Sequence, residues 1–329
     1  MIKPVWAALA LVLSATPALA ERIEKNFHET YEVGSKTSLE LDSGDGDVIL
    51  RAWDRAEVQI DVVYIADETR WGLGQRSEFR VGFTQRGDVI QVREADRGGA
   101  QVGVQVTNHR EYEYSIQAPA SLPIVLKGDD GNISIRDWAG ALEIQLDDGN
   151  LSLDGFVGEQ LEIRVQDGEV DLRRLRTDLV LKADDADVDL EDSTIGSAVV
   201  EMEDGTLRVR KTEGNFDIEV DDADIQFDAV AIRVLRVRAM DGELDFDARD
   251  VTGMDWDIRT DDGDILIGLA DGASLDFTID FDDGDVDLDL PAGQDIERER
   301  HRVRGRLAGG EGELRIHTQD GQVRLRQRS

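Results

Sequence analysis

Apolar and polar residues alternate along this chain in short runs, and the runs come in pairs joined by Asp-Gly or Asp-Ala. Eleven such pairs occur, recurring every 18 to 21 residues through most of the length. The second residue of each junction serves as an anchor: Gly46, Gly131, Gly149, Gly168, Ala186, Gly205, Ala223, Gly242, Gly263, Gly284 and Gly321, each preceded by Asp. The second and fourth residues after the anchor are aliphatic or Phe in all eleven copies, and the seventh and fifth before it are apolar in all eleven. Positions between them are mostly polar, so each copy predicts two short strands with one buried and one wet face.

A pair of strands joined at Asp-Gly could be a tight hairpin in an antiparallel meander, or one coil of a parallel solenoid with Asp-Gly at its corner. A type I′ hairpin needs positive φ at both loop residues. Ala186 and Ala223 occupy the second position, where positive φ would cost about 1–2 kcal/mol each. A meander would also need more strands than open twisted sheets usually hold, whereas a short fixed period is the mark of a stacked array. The prediction is an all-β parallel β-solenoid, right-handed by the crossover rule, with about 19 residues per coil. From Asp147 onward, Asp-Asp corners at 147, 184 and 221 alternate with corners at Gln166, Glu203 and Met240, each series stepping by 37. A coil of 37 residues with two corners fits the sequence equally well.

Two stretches interrupt the period. Between Gly46 and Gly131 lie alternating runs at Glu57 to Ala66, Glu78 to Phe83, Asp88 to Arg93 and Glu111 to Ala118, which read as strands of an N-terminal β cap covering unpaired backbone at the solenoid end. Pro291 to Gly312 reads as a loop; it holds Arg298, Arg300, Arg302, Arg304 and Arg306, which could be solvated or fold back on the acidic edge. The organisation expected is a signal peptide at 1–20, the first repeat plus cap at 21–120, and the solenoid at 121–329 with its loop at 291–312.

Lys3, the apolar stretch Val5 to Leu13 and Ala18-Leu19-Ala20 before Glu21 follow the order of a secretory signal peptide. The mature chain is expected to begin near Glu21, exported to the periplasm or cell surface. No later stretch reaches the roughly 20 apolar residues of a membrane span, and with no Cys the fold is held without disulfides. Without Lys3 there remain 36 Lys and Arg against 72 Asp and Glu, a net charge of −36. Nucleic acid and anionic membrane faces are thereby disfavoured as partners. Such charge with few aromatics can signal disorder, but the strict apolar period argues for a packed core.

Several stretches resemble the exported putative-adhesin family of bacterial β-strand-repeat proteins, whose molecular function is unassigned. The carrying residues are Leu39-Glu40-Leu41 leading to Gly46-Asp47-Val48, Trp53-Asp54-Arg55 with Glu57-Val58, Ala118-Pro119-Ala120 with Leu122, and the recurring Asp-Gly-x-aliphatic units. The resemblance implies a β-solenoid and a cell-envelope location and supplies no active site. This chain departs from the family in using Asp where Ser, Thr or Asn is expected at many corners.

In a stacked array equivalent residues lie about 4.8 Å apart, so rows matter more than single residues. The two positions before the anchor and the one after it form three rows holding 25 carboxylates and no Lys or Arg. Their densest members are Asp147, Asp148, Asp184, Asp185, Asp187, Asp221, Asp222, Asp224, Asp261, Asp262, Asp264, Asp282, Asp283 and Asp285. Any one Asp at such a corner is explained by its hydrogen bonding to turn N–H groups. Taken together the edge is a candidate for loose Ca²⁺ or other divalent-cation binding, although no EF-hand loop or Gly-Gly-x-Gly-x-Asp nonapeptide is present. No cofactor is required by any motif.

Catalytic signals are sparse. His28, His109, His301 and His317 sit in no recognisable setting, and zinc sites want convergent His or Cys. Trp53 and Trp138, each seven residues after an anchor, read as corner packing. A polysaccharide lyase or glycosidase is the enzymatic alternative; it would need carboxylates, Arg or Lys, and aromatics converging in a groove, and an Arg flanked by two Asp there would favour it. The reading favoured is a non-catalytic exported scaffold, adhesin-like, whose long faces contact envelope proteins or glycans.

Overall fold

A computed structural model describes residues 19–71, 79–94, 104–291 and 294–327. The signal-peptide residues 1–18, and Glu78 of one expected strand, lie outside them. Among the described residues every regular element is a β-strand, and most strand pairs are parallel.

The first seven strands are β1 (Leu19–Glu32), β2 (Ser38–Asp42), β3 (Asp47–Trp53), β4 (Glu57–Trp71), β5 (Val81–Arg86), β6 (Val89–Glu94) and β7 (Val104–Pro119). In the first repeat, β2 pairs in parallel with β6, and β3 pairs in parallel with β7. Antiparallel strands lie outside them: β5 on β6, β4 on β7, and β1 on β4. An aromatic cluster fills this end, with Tyr64 and Phe79 stacked at 4.3 Å and Tyr112 against Phe79 at 4.9 Å.

The chain continues through β8 (Ile124–Gly128), β9 (Ile133–Trp138), β10 (Leu142–Asp148), β11 (Leu151–Glu191), β12 (Thr194–Arg210), β13 (Glu213–Ala239) and β14 (Leu244–Ala248). Pairing joins equivalent residues of consecutive repeats: Leu142 lies opposite Leu161, Leu151 opposite Ile133, and Val188 opposite Leu207. The alternating pattern places its apolar set inside. Of the 44 invariantly apolar positions all but Leu288 are buried, and each buried Val, Leu, Ile or Phe contributes roughly 1.5–3 kcal/mol of gross transfer free energy.

Asp-Gly is one corner of each repeat. Gly149, Gly168, Gly205, Gly242, Gly263 and Gly321 adopt φ between 107° and 139°, while Ala186 and Ala223 are not among the positive-φ residues and turn their methyls into the core. The row is close-packed backbone to backbone: a Cβ on Gly168 would stand 2.0 Å from the Gly149 carbonyl oxygen. A second corner falls six residues after the anchor, where Asp137, Gly155, Arg174, Asp192, Lys211 and Ala229 all take φ of 49° to 83°. Composition does not mark this row, because five of its six members have a Cβ and tolerate a conformation costing about 1–2 kcal/mol. The residue after it points inward, and Trp138, Phe156, Leu175, Ser193, Thr212 and Val230 form a buried row. Ser193 is satisfied there, its Oγ accepting from Leu175 N–H and donating to the Glu191 carbonyl.

The remaining strands are β15 (Asp255–Thr260), β16 (Ile265–Leu269), β17 (Leu275–Phe281), β18 (Asp285–Asp289), β19 (Asp295–Glu299), β20 (Arg302–Leu307), β21 (Gly312–Thr318) and β22 (Gln322–Gln327). The segment expected as a loop over 291–312 is therefore corrected: it holds β19 and β20, which pair antiparallel with each other, while β20 also pairs antiparallel with β17. Alternation of Arg302, Arg304 and Arg306 with Val303 and Leu307, both buried, makes this segment a strand whose arginines face outward.

Repeats do not stack in sequence order at the ends. At the C-terminal end β21 and β22 lie between β15 and β16 on one side and β17 and β18 on the other. The Gly263 and Gly284 repeats, consecutive in sequence, are thus separated in space by the last repeat. Likewise the first repeat lies between the β6–β7 strands and the Gly131 repeat. Electrostatics gives a reason at the C-terminal end. The corners of the Gly263 and Gly284 repeats both read Asp-Asp-Gly-Asp, and the intervening corner reads Gln319-Asp320-Gly321-Gln322.

Candidate functional site

The acidic corners are the first place to look for function, and much of their chemistry is spent on the fold. The side chain just after one anchor accepts the backbone N–H of the same position in the next repeat: Asp47 from Asn132 at 2.8 Å, Asn150 from Glu169 at 3.0 Å, Asp224 from Glu243 at 2.8 Å and Asp264 from Gln322 at 2.8 Å. Two positions before the anchor, glutamines relieve the ladder: Gln166 donates to Asp147 at 3.2 Å and Gln319 to Asp261 at 2.6 Å.

Repulsion surfaces at Asp129, whose carboxyl is pushed above the ordinary range by burial and by Asp147, Asp42, Asp45 and Asp130. The structure places Asp147, Asp148, Asp184, Asp185, Asp187, Asp221, Asp222, Asp224, Asp261, Asp262, Asp264, Asp282, Asp283 and Asp285 along the anticipated edge. Among the described residues, however, no three His, Asp or Glu side chains converge as a metal-ion shell.

Cations sit elsewhere, on the outer faces of the strands and at the second corner, and staple one repeat to the next. Lys182 pairs with Glu201, Arg210 with Asp189 at 3.2 Å, Lys211 with Glu191 at 3.0 Å and Arg174 with Asp154 at 2.6 Å. Hydrogen bonds from Arg174 and Lys211 hold the Asp154 and Glu191 carboxyls below their usual range. The basic run folds back in the same way, although onto β17 and not onto the corner rows: Arg302 pairs with Asp280, and Arg306 with Asp276 at 2.6 Å.

One outer-face concavity differs from the rest. Across β15, β21 and β17, a cavity of about 400 Å³ is lined by Asp257, Arg259, Arg315, His317, Thr278 and Asp280. Strand register sets these as two rows of three, Asp257–Arg315–Thr278 and Arg259–His317–Asp280. Arg259 grips Asp257 at 2.9 and 3.1 Å. Arg315 reaches Asp255 at 2.9 Å and lies 3.9 Å from Asp257. An Arg between two Asp is thus present, and sequence reasoning missed it because Asp255 and Arg315 are 60 residues apart. Both carboxylates lining the cavity are matched by a guanidinium, Asp257 by Arg259 and Asp280 by Arg302.

His317 is exposed on this face, as its outward position predicts. His28 on β1 pairs with Asp61 on β4 at 2.6 Å. Ser115 lies opposite Asp61, so the order across the sheet is serine, aspartate, histidine. The aspartate stands where the histidine of a nucleophilic triad belongs, leaving Ser115 and His28 roughly 10 Å apart by strand spacing. Trp138 is buried at the second corner, opposite Phe156 in the strand register, whereas Trp53 is half-buried with its Nε1 donating to the Glu57 carbonyl at 2.8 Å.

With this repeat and its geometry in view, the family comparison is decisive: the model for Toastrack DUF4097 matches residues 36–326. The chain belongs to the Toastrack DUF4097 family. That membership agrees with the resemblance to adhesin-like β-strand-repeat proteins and with an all-β, solenoid-like repeat. Among solved structures, a "putative cell adhesion protein" from Clostridium sporogenes ATCC 15579 aligns at 12% identity over 92% of this chain and 100% of its own, with a TM-score of 0.26. No curated protein matches the chain. Within this Toastrack chain, no helix among the described residues is long and apolar enough to cross a membrane.

Proposed function

We propose that this Toastrack chain is a non-catalytic, exported, adhesin-like scaffold that binds envelope proteins or glycans along its outer faces. Its architecture under this reading is a right-handed parallel β-solenoid, one coil per repeat of about 19 residues, with the antiparallel strands β1, β4 and β5 serving as an N-terminal cap. Export rests on the signal-peptide order of residues 1–20.

The observation that carries the reading is the disposition of side chains. Apolar residues are spent on the core, several corner carboxylates on backbone N–H groups, and most ion pairs on joining neighbouring repeats, which leaves long, rigid, polar faces suited to contact. Glycosidase chemistry wants a carboxyl kept protonated near a second carboxylate. Among the described residues the carboxyl with a raised pKa is Asp129 at a corner, at the opposite end of the array from the outer-face cavity.

The test is to incubate the mature chain with isolated envelopes of the exporting cell, cross-link, and identify what is captured. Saturable capture of a defined envelope protein or glycan, competed by excess unlabelled chain, is the expected result. Failure to capture any envelope component would overturn it.

A further inference from the structure

We propose that the cavity formed by Asp257, Arg259, Arg315, His317, Thr278 and Asp280 binds a sugar residue bearing a single carboxylate, a uronate unit of an acidic glycan. The inference rests on the scaffold reading above and names the ligand class of one of its faces.

Three features of the cavity select that chemistry. First, donors and acceptors alternate across its two rows, since Arg259 and Arg315 can only donate, Asp257 and Asp280 as carboxylates can only accept, and Thr278 and His317 do either. A hydroxyl-rich ring needs this mixture. Inorganic phosphate or sulfate needs donors alone and would leave the two carboxylates without hydroxyl groups to accept from.

Second, part of the lining is uncommitted, although Arg315 is engaged by Asp255, Glu313 and Asp257. Thr278 and His317 make no side-chain hydrogen bond among the described residues. Arg259 uses Nε and Nη2 on Asp257, leaving Nη1 for a carboxylate.

Third, the charge around the cavity is relieved while the rest of the molecule is strongly acidic. From Ile296 to the end the sequence has 9 Arg and 5 Asp or Glu, in a chain of net charge −35. A second concavity on the same outer face, of equal volume, makes the contrast: it is lined by Asp184, Glu201, Glu203, Glu219 and Asp221, with Lys182 already paired to Glu201. An anion would be repelled there and is tolerated at the C-terminal cavity. The latter's volume lies at the lower end of small-ligand sites, enough for one or two sugar units of a longer chain.

The experiment titrates the full mature chain with a defined oligouronate, the matching neutral oligosaccharide and inorganic phosphate, by calorimetry and by heteronuclear NMR of the His and Arg side chains. The expected result is saturable oligouronate binding that shifts His317 and Arg259 signals, at least ten-fold weaker binding of the other two probes, and a ten-fold or greater loss in His317→Ala and Thr278→Val. Both variants lie on the outer face, so an unchanged Tm verifies their fold, and Glu201→Gln in the acidic concavity serves as the control that keeps wild-type affinity. Undiminished binding by the two cavity variants, or equal affinity for the neutral sugar, would overturn the proposal. Absence of oligouronate binding together with intact envelope capture would overturn this site while leaving the scaffold reading standing. Shortening of the oligouronate during titration would overturn the non-catalytic reading instead.

Discussion

Gln322 donates its backbone N–H to the Asp264 carboxylate at 2.8 Å although 58 residues separate them. The same bond joins Glu243 to Asp224 across 19 residues. The same side-chain-to-backbone bond therefore recurs across a change in chain order, because the last repeat has been inserted between two repeats that follow one another in sequence.

That insertion is testable by cross-linking, since the chain contains no Cys of its own. Asp264→Cys with Gln322→Cys is expected to form a disulfide readily on mild oxidation, as neighbouring corners meet the Cα spacing a disulfide requires. Asp264→Cys with Asp285→Cys, which would pair if repeats stacked in sequence order, should stay reduced because Gln322 lies between them. Mass spectrometry of the oxidised proteins distinguishes the two.

The corner ladder predicts a graded effect of side chains at the position after the anchor. Asp224→Ala removes the acceptor for Glu243 N–H and is expected to cost about 0.5–1.5 kcal/mol in urea denaturation. Asp224→Asn should retain most of the stability, since Asn150 performs the same task for Glu169.

Close approach of backbones makes the anchor glycines sensitive. Gly168→Ala must place a Cβ against the Gly149 carbonyl at φ 124°, and is expected to destabilise by at least about 1–3 kcal/mol from backbone strain alone. Ala186→Gly, where no positive φ is needed, should cost no more than about 1 kcal/mol. Equal costs in thermal denaturation would contradict the geometry.

Asp129 sets an opposite pH dependence from the paired carboxylates. Burial and neighbouring carboxylates raise its pKa in the folded state, so its ionisation opposes folding at pH values above that raised pKa and ceases to do so once the pH falls below the unfolded value near 3.9. Asp129→Asn should therefore be more stable than wild type at pH 7, with the advantage gone at pH 3. Asp276 behaves in reverse: the hydrogen bond from Arg306 lowers its pKa, and the stability it supplies is present above the unfolded value and lost as pH falls through the folded one. Asp276→Asn is expected to destabilise at pH 7 and be neutral at low pH. Stability curves from pH 3 to 7 check both signs.

Rows of carboxylates about 4.8 Å apart call for counterions. Millimolar Ca²⁺ is expected to raise the Tm above that in Na⁺ at matched ionic strength, and Mg²⁺ should do the same, because no three carboxylates converge among the described residues to select one ion. A response to Ca²⁺ alone would reveal a coordinated site, and no response to either would show that the edge is compensated within the protein.

The apolar period by itself determined the strands, the buried set and the Asp-Gly corner, because alternation in a strand maps directly onto two faces. It also located the strands between Gly46 and Gly131, and it put Trp138 at a corner. The second corner at Asp137, Arg174, Asp192 and Lys211 was invisible, since stacking against neighbouring repeats imposes its left-handed conformation where composition gives no sign. Tertiary structure alone decided which repeats touch. Insertion of β21 and β22 between the Gly263 and Gly284 repeats brings Arg315 beside Asp255 and Asp257 and sets His317 between Arg259 and Asp280. These residues are up to 60 positions apart, and no local pattern encodes their meeting; it follows from the order in which parallel edges pair, which charge repulsion between two Asp-Asp-Gly-Asp corners helps to set.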